Sequence, residues 1–399
     1  LKNILKIKLI LAASILAGLL LLKLITPERY TGYDGGFYRA MSRELVSPNT
    51  KTTTASYCYR ILPAWLLHFL PLETETAFLV YNAVIGSVSA YLLFFLFLDS
   101  GYSLLESSLG TFFFFFSWIN VRLHLFYPIL VDATYYLIII LAFWALLRKN
   151  DSLFLVSLTL GALTRENFFS LIPVYYFHRK EKGRVWNRKV FIRTLCLAAG
   201  PVALFFLLRL VIPNTNPDFS YLKNMVYFSR MSFIYRSRVV YSYFNIYGVV
   251  MFIIILHLPT VLRFLWRNSY LSIYLLVSVI APLFTGWDIS RYNFFSFPVI
   301  LILALQAMKE HRNIYRNKLM VAFLVVSQLY LMRILRPMST ENYRRIWWSN
   351  ISFCPHDVFV ESSQRFALFA LAFIALYSIL HFYMRKKGRH PPSRMGTTF

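Results

Sequence analysis

Charge is what this 399-residue sequence has least of: only 15% of its residues are Asp, Glu, Lys or Arg, and 17 are acidic. A soluble domain carries about a quarter charged residues, so an ordinary water-soluble fold is not expected. Cysteine is nearly absent too. Cys58, Cys196 and Cys354 make no metal-ligand spacing, and a Cys58–Cys354 disulfide stays open only because both are expected on one side of a membrane. There is no GxxxxGK[ST] loop and no GxGxxG after a strand. Those absences argue against an ATP-driven pump and against a sugar-nucleotide enzyme with a cytoplasmic domain. No internal repeat stands out.

What the chain does have is apolar sequence in long blocks, 58% hydrophobic and 18% aromatic overall. A run of about 18 or more such residues with few charges reads as a transmembrane helix. Runs at 4–25, 76–98, 105–119, 132–147, 153–163, 168–177, 194–212, 246–262, 270–284, 293–308, 319–335 and 364–384 predict an all-α polytopic bundle. It would have about 12 spans, some short or broken, and no large soluble domain. The first run, Ile4 to Ile25, is long enough to stay as a span. Residues 1–384 form the membrane domain and 385–399 a basic cytoplasmic tail.

The net charge of +25 raises nucleic acid as a partner, and its placement argues against that. Of the 42 Lys and Arg residues, 23 fall in segments on one side of the predicted spans, seven of them from Arg179 to Arg193. Only 5 of the 17 acidic residues fall there. The positive-inside rule makes that side cytoplasmic, with both termini inside a plasma (inner) membrane. The charge then serves topology and anionic lipid headgroups.

Three exoplasmic segments follow, 26–76, 213–245 and 336–364. The first carries Tyr33-Asp34-Gly35-Gly36-Phe37-Tyr38, then Tyr59-Arg60-Ile-Leu-Pro63 and an apolar stretch from Ala64 to Leu70 suited to the membrane interface. Two apolar segments, Leu153 to Leu163 and Phe168 to Phe177, are too short to cross. They flank Thr164-Arg165-Glu166-Asn167, which predicts a hairpin that breaks at a charged apex. Charges at that depth default to function. Asp132, at the head of an apolar run, and Asp288 with Arg291, in a short turn, point to the same face. Plain structural alternatives exist: Arg165 and Glu166 pairing with each other or with neighbours, Asp132 capping a helix, and Asp288 with Arg291 as a surface ion pair. Together the residues predict a polar exoplasmic cavity. His68, His124 and His257 look scattered, which disfavours a histidine-dependent acyltransferase.

The Tyr-Asp-Gly-x-x-Tyr start of the first loop, the Tyr-Arg-x-Leu-x-Pro segment and the Leu-Thr-Arg break together resemble the polytopic GT-C glycosyltransferases. The resemblance implies transfer of a sugar from a polyprenyl-phosphate donor to an acceptor hydroxyl on a glycan, lipid or protein. It implies Asp34 as general base, inversion at the anomeric carbon, and donor-phosphate binding by Arg165, Arg291 and Arg60. Asp132, Glu166, Asp288, Tyr33 and Tyr38 would support the cavity, with Gly35 and Gly36 allowing close approach. Arg236, Arg238, Arg344 and Arg345 are weaker candidates. The loop lacks an Asp-x-Asp pair, so no cofactor is assigned and a divalent metal (Mg or Mn) is left without support. Two alternatives remain: a polysaccharide polymerase or ligase, and a secondary transporter with a midplane site at Thr164–Asn167.

Overall fold

The computed structural model describes residues 2–24, 34–44, 57–180, 186–212, 236–280, 289–332 and 356–388, with isolated positions between 220 and 230. Among the described residues every regular element is helical. In chain order they are α1 (Lys2–Leu24), α2 (Asp34–Glu44), α3 (Ile61–His68), α4 (Thr74–Asp99), α5 (Leu104–Phe115), α6 (Leu123–Phe126), α7 (Asp132–Leu147), α8 (Asp151–Ala162), α9 (Leu171–Arg179) and α10 (Arg188–Val211). The second half adds α11 (Arg236–Tyr247), α12 (Val249–Leu256), α13 (Leu258–Arg267), α14 (Ser269–Ile280), α15 (Ile289–Asn293), α16 (Phe297–Glu310), α17 (Arg312–Tyr315), α18 (Lys318–Leu331) and α19 (His356–Gly388).

Capping explains several starts. Glu73 accepts from the Glu75 and Thr76 amides ahead of α4, at 3.1 and 3.0 Å. Ser103 and Glu106 make a reciprocal capping box at α5. The α5 run then stops because Ser117 caps a new, wider π-helical turn, Trp118–Arg122. At the centre, α7 lies among α4, α8 and α9. Aromatic rings fill the space between α5, α7 and α16, with Phe114, Tyr136, Phe294 and Phe297 in mutual contact.

The dozen expected crossings are not a dozen equal helices. Among the described residues four are long and apolar enough to cross a membrane: Thr74–Asp99, Arg188–Val211, Arg291–Glu310 and Ser363–Tyr383. A fifth counts only if a bent pair is one span. Val239–Tyr247 and Val249–Leu256 meet at 108°, so the expected straight run 246–262 is broken, and it breaks again at His257 before α13. Four more apolar helices, α7, α8, α14 and α18, have 10–17 residues.

Gly248 makes the sharp turn. Its φ of 55° and ψ of −121° lie in a region reserved in practice for glycine. A Cβ there would sit 2.7 Å from both Gln328 Oε1 and Met332 Cε, and Gln328 is held in place by the Val249 amide at 3.0 Å. Gly248→Ala is therefore expected to destabilise the protein by about 1–3 kcal/mol, read as an earlier thermal transition in detergent. An alanine variant that melts with the wild type rejects this account of the bend.

Polar contacts sort the turns into two ends. At one, Asp99 accepts from Trp144 Nε1 at 2.9 Å and Arg148 Nη2 at 2.6 Å. There Asp151 also pairs with Arg179 and Arg193, Lys309 donates to the Gly101 carbonyl at 2.9 Å, and Arg312 Nε reaches Glu106 at 3.2 Å. These are turns that the charge count assigns to the cytoplasm. The Arg179–Asp151 pair and the Phe154–Tyr175 ring contact run α8 and α9 antiparallel, as a hairpin requires. Its apex, with α2, the start of α3 and the heads of α7 and α15, gathers at the other end.

Candidate functional site

The site begins at the head of α2. An acidic residue opening a helix sits favourably against the positive end of its dipole, and Asp34 is that residue. The next amide, Gly35 N–H, donates to Tyr127 Oη at 2.8 Å. A Cβ on residue 35 would stand 3.0 Å from Tyr127 Cε2 and 3.4 Å from Ile129 Cβ, so glycine is what lets α2 approach the 127–132 turn. Gly36 has no such role, since a Cβ there would meet nothing within 4 Å. Of the close approach expected from both glycines, only the first is real. The side chain of Asp34, and Tyr33 and Asp288 entirely, lie outside the described residues, as do Arg344 and Arg345.

One turn along α2, buried Tyr38 accepts a hydrogen bond from Arg60 Nη1 at 3.1 Å. Arg60 immediately precedes α3, and its Nη2 donates to Glu166 Oε2 at 3.2 Å. The other Glu166 oxygen, Oε1, faces Arg209 Nη2 at 3.4 Å. Arg209 lies near the end of α10 with its guanidinium over the Phe205 and Tyr59 rings, 3.3 and 4.5 Å from the centroids.

The hairpin apex supplies Arg165 and Glu166. Helix α8 ends at Ala162, just past Gly161, where a Cβ would fall 2.7 Å from Phe168 Cβ. Extended backbone at Arg165 (φ −159°, ψ 145°) then sends it and Glu166 in different directions. The Leu62 amide binds the Leu163 carbonyl at 3.1 Å, tying α3 to this apex. Arg165 Nη2 reaches Asp132 Oδ1 at 2.5 Å, with both side chains only 1% exposed. Arg291 donates to the other oxygen, Asp132 Oδ2, from Nη2 at 2.6 Å and Nε at 3.1 Å. The Arg165 guanidinium also lies over the Tyr292 and Phe295 rings, 5.3 and 5.1 Å from the centroids.

Of the plain alternatives, pairing of the apex charges holds, with neighbours instead of with each other; Asp132 does not cap α7, and the Asp288–Arg291 pair lies outside the described residues. Arg165 pairs with Asp132 and Glu166 with two other arginines. Asp132 opens α7 but turns its carboxylate to Arg165 and Arg291. Arg291 makes a buried ion pair with Asp132 across 159 residues.

Among the described residues, four arginines thus meet two carboxylates in a largely buried cluster. Such a cluster is costly to desolvate unless ion pairing is close, and its guanidiniums suit an anionic ligand. Arg209 and Tyr127 were not singled out from sequence. A lone arginine near the end of an apolar run was a usable signal for Arg209. Tyr127 had none, since tyrosines crowd every loop.

One other expectation changes. His257 is not isolated: its Nε2 lies 2.8 Å from Tyr315 Oη and 3.0 Å from Tyr377 Oη, and its ring stacks on His311 at 4.1 Å. It joins α16, α17 and α19 at the far end from the arginines. Among the described residues, open apolar grooves of about 460 and 270 Å³ are lined from α1, α4, α5 and α18, away from the ion cluster. Among the described residues no three His, Cys, Asp or Glu side chains are placed to hold a metal ion. No family model, curated protein or solved structure matches the chain.

Proposed function

We propose that the chain is a polytopic membrane glycosyltransferase of the GT-C type, moving a sugar from a polyprenyl-phosphate donor to an acceptor hydroxyl on the exoplasmic face. The observation that carries the reading is the juxtaposition at one end of the bundle. Asp34 heads a helix tied through Gly35 to Tyr127, and Tyr38 on that helix joins a cluster in which Arg60 and Arg209 share the Glu166 carboxylate. Membrane residence is supported by the long apolar helices, which leave large side chains such as Leu207, Leu210, Val240 and Leu371 exposed. The segregation of basic turns at the opposite end supports a cytoplasmic location for both chain ends.

In this reading Asp34 accepts the proton of the acceptor hydroxyl as its oxygen attacks the anomeric carbon. The bond from that carbon to the phosphate oxygen breaks, the lipid phosphate leaves with the electron pair, and guanidiniums stabilise its charge. One displacement inverts the anomeric centre. Arg60 and Arg209 suit the phosphate better than Arg165, which is sealed against Asp132 and two aromatic rings. Arg165, Asp132 and Arg291 then brace the hairpin apex that carries Glu166. A transporter site at Thr164–Asn167 fits less well, because both apex charges are engaged in ion pairs within the protein.

The test is reconstitution of the purified protein with radiolabelled polyprenyl-phosphate hexoses and pentoses and an envelope glycan and lipid fraction. Label is expected to pass from one donor class to an acceptor with inversion. If no hexose or pentose donor is consumed, the reading fails.

A further inference from the structure

Two arginine–carboxylate–arginine groups lie side by side at this end of the bundle, and they differ in tightness. In the first, Arg165 and Arg291 hold Asp132 at 2.5 and 2.6 Å, and its side chain is 1% exposed. Both contacts are shorter than the usual range of charge-assisted N–H···O hydrogen bonds, about 2.7–2.9 Å. In the second, Arg60 and Arg209 stand 3.2 and 3.4 Å from Glu166, beyond that range, and the Glu166 side chain is 24% exposed. Each Glu166 oxygen faces a different guanidinium. Two oxygens of a phosphate group would present themselves in the same way. The first group is a closed brace, and the second is slack and open at the carboxylate.

The surroundings say how an anion reaches it. Arg209 sits in α10 between Leu208 and Leu210. Leu210 is 84% exposed, and Phe206, Leu207 and Val211 are exposed with it. The arginine is therefore at the end of an apolar helix face that meets lipid, and its guanidinium is held inward over Phe205 and Tyr59. An amphiphile lying along α10 would bring a phosphate head to Arg209 and Arg60 without leaving the bilayer.

We infer that Glu166 is a placeholder for the ligand's phosphate: its carboxylate bridges Arg60 and Arg209, and a lipid phosphate displaces it to take both arginines. The ligand class, a polyprenyl phosphate, rests on the glycosyltransferase reading, whereas the exchange rests on the geometry of the three side chains.

The consequence is unusual for a residue inside a binding site: neutralising it tightens binding. Glu166→Gln removes the competing negative charge from between two guanidiniums. It is expected to raise affinity for decaprenyl phosphate roughly tenfold or more, given the strength of charge interactions at such distances. Glu166→Asp keeps the charge but shortens its reach, and an intermediate affinity is expected. Arg209→Gln is expected to weaken binding by at least about tenfold.

The experiment measures binding of decaprenyl phosphate, which carries no sugar, to the full-length protein in nanodiscs of zwitterionic lipid. Thermal melting reports that each variant is folded. Inorganic phosphate is the second probe, and it is expected to compete only at far higher concentration. Affinity at or below wild type in both Glu166 variants overturns the placeholder. Unchanged affinity in Arg209→Gln removes the site, and equal competition by inorganic phosphate removes the lipid. If the affinities follow the expected order while no sugar donor is consumed, the anion site stands and the glycosyltransferase reading falls.

Discussion

Asp34→Asn is expected to lower sugar transfer by about 10²–10⁴-fold, the usual contribution of a positioned general base, with the affinity for decaprenyl phosphate unchanged. The reasoning starts from isosterism. Asparagine keeps the shape and the helix-opening position of Asp34, and it remains a good residue at a helix start. What it loses is the ability to take a proton. The Gly35–Tyr127 hydrogen bond is made by backbone N–H, so it survives the substitution and keeps α2 docked. A fall in turnover with unchanged lipid-phosphate binding and unchanged melting then assigns the loss to proton transfer. Wild-type rates in the asparagine variant, in preparations where the wild type consumes donor, sink the role assigned to Asp34. A loss of binding equal to the loss of turnover would instead make Asp34 part of the binding surface.

The second large effect is on stability. Asp132→Ala removes the carboxylate that pairs with both Arg165 and Arg291. Breaking a buried ion pair by deleting one partner costs about 3–5 kcal/mol, because the remaining charge stays buried without compensation. Here two guanidiniums would be left facing each other. The protein is expected to lose its thermal transition at ordinary temperatures, or to melt far below the wild type. Asp132→Asn should recover little, since it keeps the shape but not the charge. The informative partner is the triple variant Asp132→Leu, Arg165→Met and Arg291→Leu. Replacing a whole buried ionic group by apolar residues of similar volume is often neutral or stabilising. If the group is a brace, the triple variant regains much of the lost stability. If Asp132→Ala melts with the wild type, the group is not what holds the hairpin apex against α7 and α15.

How far the site was readable in advance depends on which property is asked for. Arg165, Glu166 and Asp132 stood out because charges are rare within apolar runs, and rarity is visible residue by residue. Their partners did not. Glu166 meets Arg60 across 106 positions and Asp132 meets Arg291 across 159, and no local pattern encodes which helix ends come together. The donor-binding role expected of Arg165 is proposed instead for Arg60 and Arg209, for the same reason. Burial against Asp132, Tyr292 and Phe295 is a fact of packing.

The helices divide in a similar way. The sequence alone determined an all-α architecture, the position of most apolar helices, the break at Thr164 and the split of basic turns from the acidic-rich end. Hydropathy and charge are properties of single residues summed over a window, so they survive without coordinates. Only the tertiary structure decided the number of full-length helices, the 108° turn at Gly248 and the pairing of four arginines with two carboxylates. Each of those depends on distances between segments far apart in the chain. Such distances are set by which side chains can share a small volume, and a one-dimensional pattern carries no measure of that.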